Sequence, residues 1–125
     1  MSEYRIIRNS QTNDVVLSRA KWCQSFWCHF KGLQFVRSLD AGEGLLFVTG
    51  SDNIVSTTIH MLFMFMEIGV VWVDSSGKVV DKKLAKPWRL AYAPAKPAQY
   101  YIEANTSVLD RVNIGDVLTF DEVAK

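Results

Sequence analysis

The chain has 125 residues, 49% of them hydrophobic and 12% aromatic, and its fourteen Lys and Arg against thirteen Asp and Glu give a formal charge of +1. That length suits a single domain over residues 1–125, and the apolar content fills one core without a structural metal or disulfides. With no basic excess or stripe, nucleic acid is not expected as a partner, and two cysteines make no disulfide framework.

The opening Met1-Ser2-Glu3-Tyr4-Arg5 is charged with no apolar run behind it, so no secretory leader is expected. The longest apolar stretch, Ile59 to Val73, is broken by Glu67 and Gly69 and falls short of the ~20 residues of a membrane span. A cytoplasmic protein with no membrane partner is expected.

Tyr4 to Arg8 and Val15 to Leu17 are short β-type runs joined by a polar loop, an opening hairpin. A helix is predicted near residues 20–33. On a helical wheel Trp22, Cys23, Phe26, Trp27, Phe30 and Leu33 fall in one arc of about 140°, facing the sheet, with Cys28 and His29 on the other side. Leu45 to Val48 is an apolar strand between the turns Gly42-Glu43-Gly44 and Gly50 to Asn53. Ile54 to Met66 reads as one bent strand or two. Val70 to Asp74, the tight turn Ser75-Ser76-Gly77 and Lys78 to Lys82 form a second hairpin. Pro87, Pro94 and Pro97 make residues 85–97 a loop. Gln99 to Glu103 is a strand, Ser107 to Val112 one helical turn capped by Ser107, and Val117 to Phe120 closes the sheet. The fold class is mostly β (α+β): a curled antiparallel sheet, barrel- or sandwich-like, with one amphipathic helix. It is no βαβ alternation, so a doubly wound nucleotide fold is not expected.

Several residues carry chemistry worth weighing. Cys23 and Cys28 lie about 140° apart on the predicted helix, which opposes a disulfide within it, and their spacing with His29 is not that of a zinc knuckle. No metal and no cofactor are expected. Cys28 and His29, as helix neighbours, diverge by ~100° and do not form a thiol–base pair. His60 stands in an apolar run, where it either lines a pocket as an acid or base or sits half-buried with a satisfied hydrogen bond. Asp74, Asp81, Glu103 and Asp116 lie at strand ends or turns, and Asp116 after Gly115 suits a turn that bonds its own amides. Lys86 to Pro94 puts Trp88, Arg89 and Tyr92 on a proline-stiffened loop, and those residue types dominate interface hot spots. Neither a Walker loop, nor a Gly-x-Gly-x-x-Gly turn, nor a Gly-x-Ser-x-Gly elbow occurs.

The order of motifs resembles the domain of unknown function 192 family over roughly residues 15–120. Lys31-Gly32-Leu33-Gln34-Phe35 stands where that family has an Arg-Gly-Leu-Met type helix end, and Gly44-Leu45-Leu46-Phe47 matches its Gly-Met-Leu-Phe strand. Val71 to Val80 looks like its aromatic-x-Asp, glycine turn and return strand; Tyr100 to Glu103 matches Tyr-x-x-Glu, and Val112 to Asp116 an Ile-x-x-Gly-Asp ending. Where the family reads Trp-Met-Lys-Asn-Thr, this chain has His60-Met61-Leu62-Phe63-Met64, with Met61 in common. The resemblance implies a compact β-rich fold and supplies no activity.

Two functions are expected from these residues. The first is a non-catalytic binding or accessory module recognising a protein or small-molecule ligand through Trp88, Arg89 and Tyr92 with Arg37 and Glu43, as a monomer or homodimer. The alternative is a small enzyme for a metabolite or sugar derivative, working through His60 and a strand-end carboxylate, Asp74 or Asp116.

Overall fold

The computed structural model describes residues 3–122. Seven strands form one sheet: β1 (Tyr4–Asn9), β2 (Val15–Cys23), β3 (Glu43–Asn53), β4 (Ile68–Val73), β5 (Val79–Ala85), β6 (Ala98–Ala104) and β7 (Leu118–Glu122). Their order across the sheet is β5-β4-β6-β3-β2-β1-β7. The β-rich, curled expectation holds, with two amendments. The sheet is mixed, because β2 pairs in parallel with β3 from Arg19↔Glu43 to Cys23↔Phe47. It is also open: edge strands β5 and β7 approach at one corner, through the isolated Lys78↔Val117 bridge and the Leu118 N–H to Gly77 carbonyl bond of 2.8 Å. Gly77 permits that corner, since a Cβ there would stand 2.8 Å from the Leu118 oxygen and its φ is +90°.

The predicted helix over 20–33 is corrected. Residues 15–23 are strand β2, and α1 spans only Phe26–Lys31. β2 lies between β1 and β3, so its backbone is hydrogen-bonded on both sides, and sheet pairing overrides the local pattern. The register steps from Ile7↔Leu17 to Arg5↔Ala20, so a bulge adds one residue to β2 and puts Leu17 and Ala20 on the same face, while Cys23 lies on the other. The aromatic stripe faces away from the sheet: Phe26 and Trp27 are 74% and 73% exposed. Cys28 and His29 turn inward instead, while Leu33 is buried as its arc predicts.

The cysteine reading is corrected with it. Cys23 and Cys28 form a disulfide at a Cα separation of 5.5 Å. On one helix the two thiols would diverge, but Cys23 ends β2 and Cys28 sits in α1 beyond a bend. Ser25 caps the helix, its Oγ accepting from the Cys28 amide.

Residues 54–66 are also not strands. They form a 3-10 turn, Val55–Thr57, then irregular chain that touches residue 92 through a single Ile59↔Tyr92 bridge. The predicted turn at Ser107 is a 3-10 segment, Thr106–Asp110, capped by Asn105 rather than Ser107.

Alternation along the strands splits the core between the two sheet faces. Ile7, Leu17, Leu46, Val71, Val73 and Ile102 fill one, under the 106–112 segment. Their neighbours Phe47, Val70, Trp72 and Tyr101 point the other way. That second face is roofed by α1 and the irregular 54–66 and 86–97 segments, with Trp72 Nε1 donating to the Thr57 carbonyl at 2.7 Å. Parallel neighbours such as β2 and β3 need a crossover, and residues 24–42 supply it, which is why α1 lies over the sheet at this place. Among the described residues no helix is long and apolar enough to cross a membrane.

Candidate functional site

On β6, Tyr101 and Glu103 are two residues apart and share the roofed face with Phe47 of β3. Above them the end of α1 comes down closely. Gly32, its C-cap, has φ +49°, and a Cβ there would stand 3.5 Å from Glu103 Oε1. Between α1, β3, β6 and residues 58–64 lies a cleft of about 110 Å³, lined by His29, Phe47, His60, Met64, Tyr101 and Glu103 among others.

Glu103 is its most telling member. It lies on a central strand, between Leu45 of β3 and Val70 of β4, and is only 6% exposed. Among the described residues none donates a hydrogen bond to its carboxylate or forms an ion pair with it. Burial pushes its pKa up to about 8, so at neutral pH it is mostly a carboxylic acid.

His29 and Tyr101 are bonded to each other. His29 Nε2 lies 3.0 Å from the Val48 carbonyl, which can only accept, so Nε2 carries a hydrogen, and in the neutral ring Nδ1 holds the lone pair. In that form the Tyr101 hydroxyl donates to Nδ1, at 3.3 Å. Burial, with the Glu103 carboxylate behind it, pushes the Tyr101 phenol above its ordinary range, so that hydrogen stays in place. Phe47 and Tyr101 stack at 4.5 Å, and His29 meets Phe47 edge-on at 5.2 Å. His60 is exposed at the rim, its Nδ1 accepting from the Leu62 amide at 3.3 Å.

A second feature adjoins the roof. Phe35, Phe63, Phe65 and Trp88 form an exposed ring cluster, with Phe63 5.3 Å from Trp88 and Phe35 5.6 Å from Phe63. Backbone bonds lace its loops together: Phe35 N–H to the Phe63 carbonyl, Trp88 N–H to the Met61 carbonyl and Met61 N–H to the Arg89 carbonyl. Phe35, Phe63 and Trp88 have φ of 66°, 62° and 68°, a left-handed backbone that bulky residues seldom adopt.

The sequence-predicted site residues divide accordingly. Trp88 is in the ring cluster, and Arg37 joins it with its guanidinium 5.3 Å from the Phe65 ring. Arg89 lies beside Trp88 along an open groove. Tyr92 is half-buried, its hydroxyl accepting from the Lys86 amide, and it closes the loop. Glu43 is held by Asp40 and Arg19 at the start of β3, and the Asp40 hydrogen bond raises its pKa. His60 lines the cleft, but neither Asp74 nor Asp116 does. Burial would raise Asp74, yet hydrogen bonds from the Ser76 hydroxyl and the Lys78 and Ser76 amides outweigh it and hold its pKa low. Asp116 accepts from the Asn113 amide in its own turn. Asp81 accepts from the Lys82 and Ala95 amides and pairs with Lys83. The sequence does not assemble the centre of the cleft: helical spacing puts His29 on the solvent side, and Glu103 reads as one of several carboxylates at strand ends or turns. The available signal was a Glu on the same alternating face as an aromatic inside an apolar strand. No group of three or more His, Cys, Asp or Glu among the described residues is placed to hold a metal ion.

Similar proteins carry the same fold. A protein from Sinorhizobium meliloti 1021, described as a proposed transcription regulator, superposes with a TM-score of 0.83 at 18% identity over 95% of each chain. A protein of unknown function from Novosphingobium aromaticivorans gives 0.75 at 18% identity, over 93% of this chain and 83% of that one. At such identities the likeness speaks for the fold alone. In sequence, a UPF0127 protein of Thermococcus kodakarensis is 38% identical over 82% of this chain, the match spanning 64% of that relative's own length. One from Thermococcus sibiricus is 36% identical over 90% of this chain and 73% of its own. The family model described as "Uncharacterized ACR, COG1430" matches residues 6–120, and the chain belongs to that family, domain of unknown function 192.

Proposed function

We propose that this chain is a single-domain, non-catalytic binding module whose recognition face combines the Glu103 cleft with the adjoining Phe35–Phe63–Phe65–Trp88 cluster. The observation that carries this is Glu103, an acid kept on a central strand without a protein partner and facing a cavity. Its oxygens face the cleft rather than a protein donor, and drawing a carboxyl out of bulk water costs stability that an apolar residue in the same place would not. A ligand that supplies the missing partner gives the residue its use. The pairing of His60 with Asp74 or Asp116 expected from sequence is not what lines this cleft, since Asp74 and Asp116 bond within their own turns. The ring cluster and Arg37 supply the residue types that dominate recognition surfaces. The partner is a small molecule or a group presented by a protein, bound by a monomer or homodimer.

We place the protein in the cytoplasm. The Cys23–Cys28 bridge is compatible with that, because intracellular proteins of hyperthermophilic archaea keep disulfides, and relatives occur in Thermococcus and Pyrococcus. A fragment screen followed by backbone amide NMR tests the binding face. Ligands are expected to shift the amides of residues 29–33, 58–64 and 101–103. If no fragment moves them at millimolar concentration, the module has no ligand seat there.

A further inference from the structure

We propose that the Glu103 cleft recognises an ammonium group, the charged end of a primary amine, which enters between α1 and residues 58–64 and pairs with the Glu103 carboxylate. This rests on the cleft being a ligand seat and goes further by naming the chemistry of the ligand.

A donor and acceptor inventory leads there. His29 spends Nε2–H on the Val48 carbonyl and its Nδ1 lone pair on the Tyr101 hydroxyl. Tyr101 has thereby used its one hydrogen, and its oxygen keeps lone pairs. The deep part of the cleft thus presents the lone pairs of the Tyr101 oxygen and the Glu103 carboxyl, which becomes acceptor-only once its proton leaves. An ammonium group has three donors and no acceptor, and so satisfies such a floor without leaving a ligand atom unpaired. The walls add to this. Phe47 and Tyr101 form a stacked pair along the cleft, with Phe30 nearby, and aromatic faces attract a desolvated cation. A volume of about 110 Å³ takes the end of a chain rather than a whole metabolite.

The other titratable groups around Glu103 are Tyr101 on its own strand, His29 and Lys31 on α1, and His60 on the facing loop. Lys31 is exposed and forms no ion pair with Glu103 among the described residues, so it weakens an incoming cation only through a solvent-screened repulsion. The balance of the binding step is simple. The amine arrives protonated, the Glu103 acid gives its proton to solvent, and a buried ion pair replaces a buried acid. Burial raises the Glu103 pKa, so that proton is there to be released at neutral pH. A neutral hydroxyl or amide would bind the acid and release nothing.

The test uses n-butylamine and its neutral match butan-1-ol, titrated into the full chain at pH 7. Amide NMR reads affinity, and the carboxyl ¹³C signal of Glu103 reads its titration with and without each probe. Butylamine is expected to bind at least about tenfold more tightly than butanol and to lower the Glu103 pKa by about one unit or more. Glu103→Gln, isosteric and checked by thermal melting, is expected to lose that preference, while Lys31→Ala strengthens amine binding. If butanol binds as well as butylamine, or if the amine leaves the Glu103 pKa where it was, the ammonium assignment is overturned while the ligand seat survives. If neither probe moves the cleft amides but other fragments do, the assignment alone falls. If nothing moves them, both fall.

Discussion

The Tyr101 hydroxyl meets Nδ1 of His29 at 3.3 Å, a bond that ties a central strand of the sheet to the helix above it. Because Nε2 of the same ring is held by the Val48 carbonyl at 3.0 Å, α1 is fastened to β3 and β6 by one side chain. His29 therefore acts as a strut of the cleft, and its ring cannot serve as a free base while both bonds are made.

Tyr101→Phe tests the strut. The substitution keeps the ring that stacks on Phe47 and removes only the oxygen, leaving Nδ1 of a half-buried His29 without its donor. A hydrogen bond of this kind contributes about 0.5–1.5 kcal/mol, and stranding its partner costs about 1–3 kcal/mol. Urea titration is expected to show a loss of about 1–2 kcal/mol with the m-value unchanged. An unshifted midpoint would mean that the two groups do not bond in solution.

Glu103 makes stability depend on pH with an unusual sign. Its pKa in the folded chain is about 8, above the ~4.3 of an unfolded glutamate, so between those values the folded state binds more protons. Stability is therefore full below the unfolded value and falls as pH rises through 8, by about 1.4 kcal/mol for each unit of difference. The protein is expected to melt at lower temperature at pH 8.5 than at pH 5.5. Glu103→Gln, with no proton to lose, is expected to flatten the curve and to be the more stable protein at the alkaline end. Every other ionisable group is common to both chains, so the difference between the curves isolates position 103. Parallel curves would show that the carboxyl is solvated or partnered.

Much of the sheet was legible, because strand identity is local. The Ser75-Ser76-Gly77 turn, the apolar runs around it and the proline loop all announce themselves within a few residues. What failed was decided at a distance. The apolar spacing of residues 22–33 is locally helical, yet pairing with β1 and β3 on both sides makes residues 15–23 a strand. The disulfide followed from where β2 ends, and the cleft from a crossover that sets α1 over β6. Trp88 and Arg37 stand out in the sequence because aromatic and Arg residues on loops are conspicuous one at a time. Glu103 does not, since a carboxylate is singled out only by the partner that its neighbours fail to give it.

The left-handed backbone at Trp88 makes an inverted order of substitutions. Alanine ordinarily stabilises relative to glycine by reducing the freedom of the unfolded chain. At φ 68° alanine keeps the steric penalty of its Cβ, about 1–2 kcal/mol, whereas glycine does not. Trp88→Gly is expected to melt at or above Trp88→Ala, with both losing the contacts to Phe63 and Phe65. Binding through the ring cluster should weaken equally in the two. If the alanine variant proves clearly the more stable, the backbone has relaxed to an ordinary conformation there.

The Cys23–Cys28 bridge links the end of β2 to the helix that carries His29, and so bears on both the stability and the shape of the cleft. The residues it encloses form a loop of about six, and closing one that size lowers the entropy of the unfolded chain by an amount worth roughly 2 kcal/mol. The double Cys23→Ser, Cys28→Ser variant is expected to lose about that much in denaturant titration, and reductant should reproduce the loss in the parent chain. The effect should also be local. α1 is six residues long with no fully buried side chain, too short to persist by itself, so freeing Cys28 leaves the His29 bonds to hold it. Hydrogen exchange at the amides of His29 and Gly32, which donate within α1, should accelerate more than exchange on β4 and β6. Equal acceleration everywhere would show that the bridge acts on global stability alone, and an unchanged rate at His29 would leave the strut, not the disulfide, as what fixes the roof of the cleft.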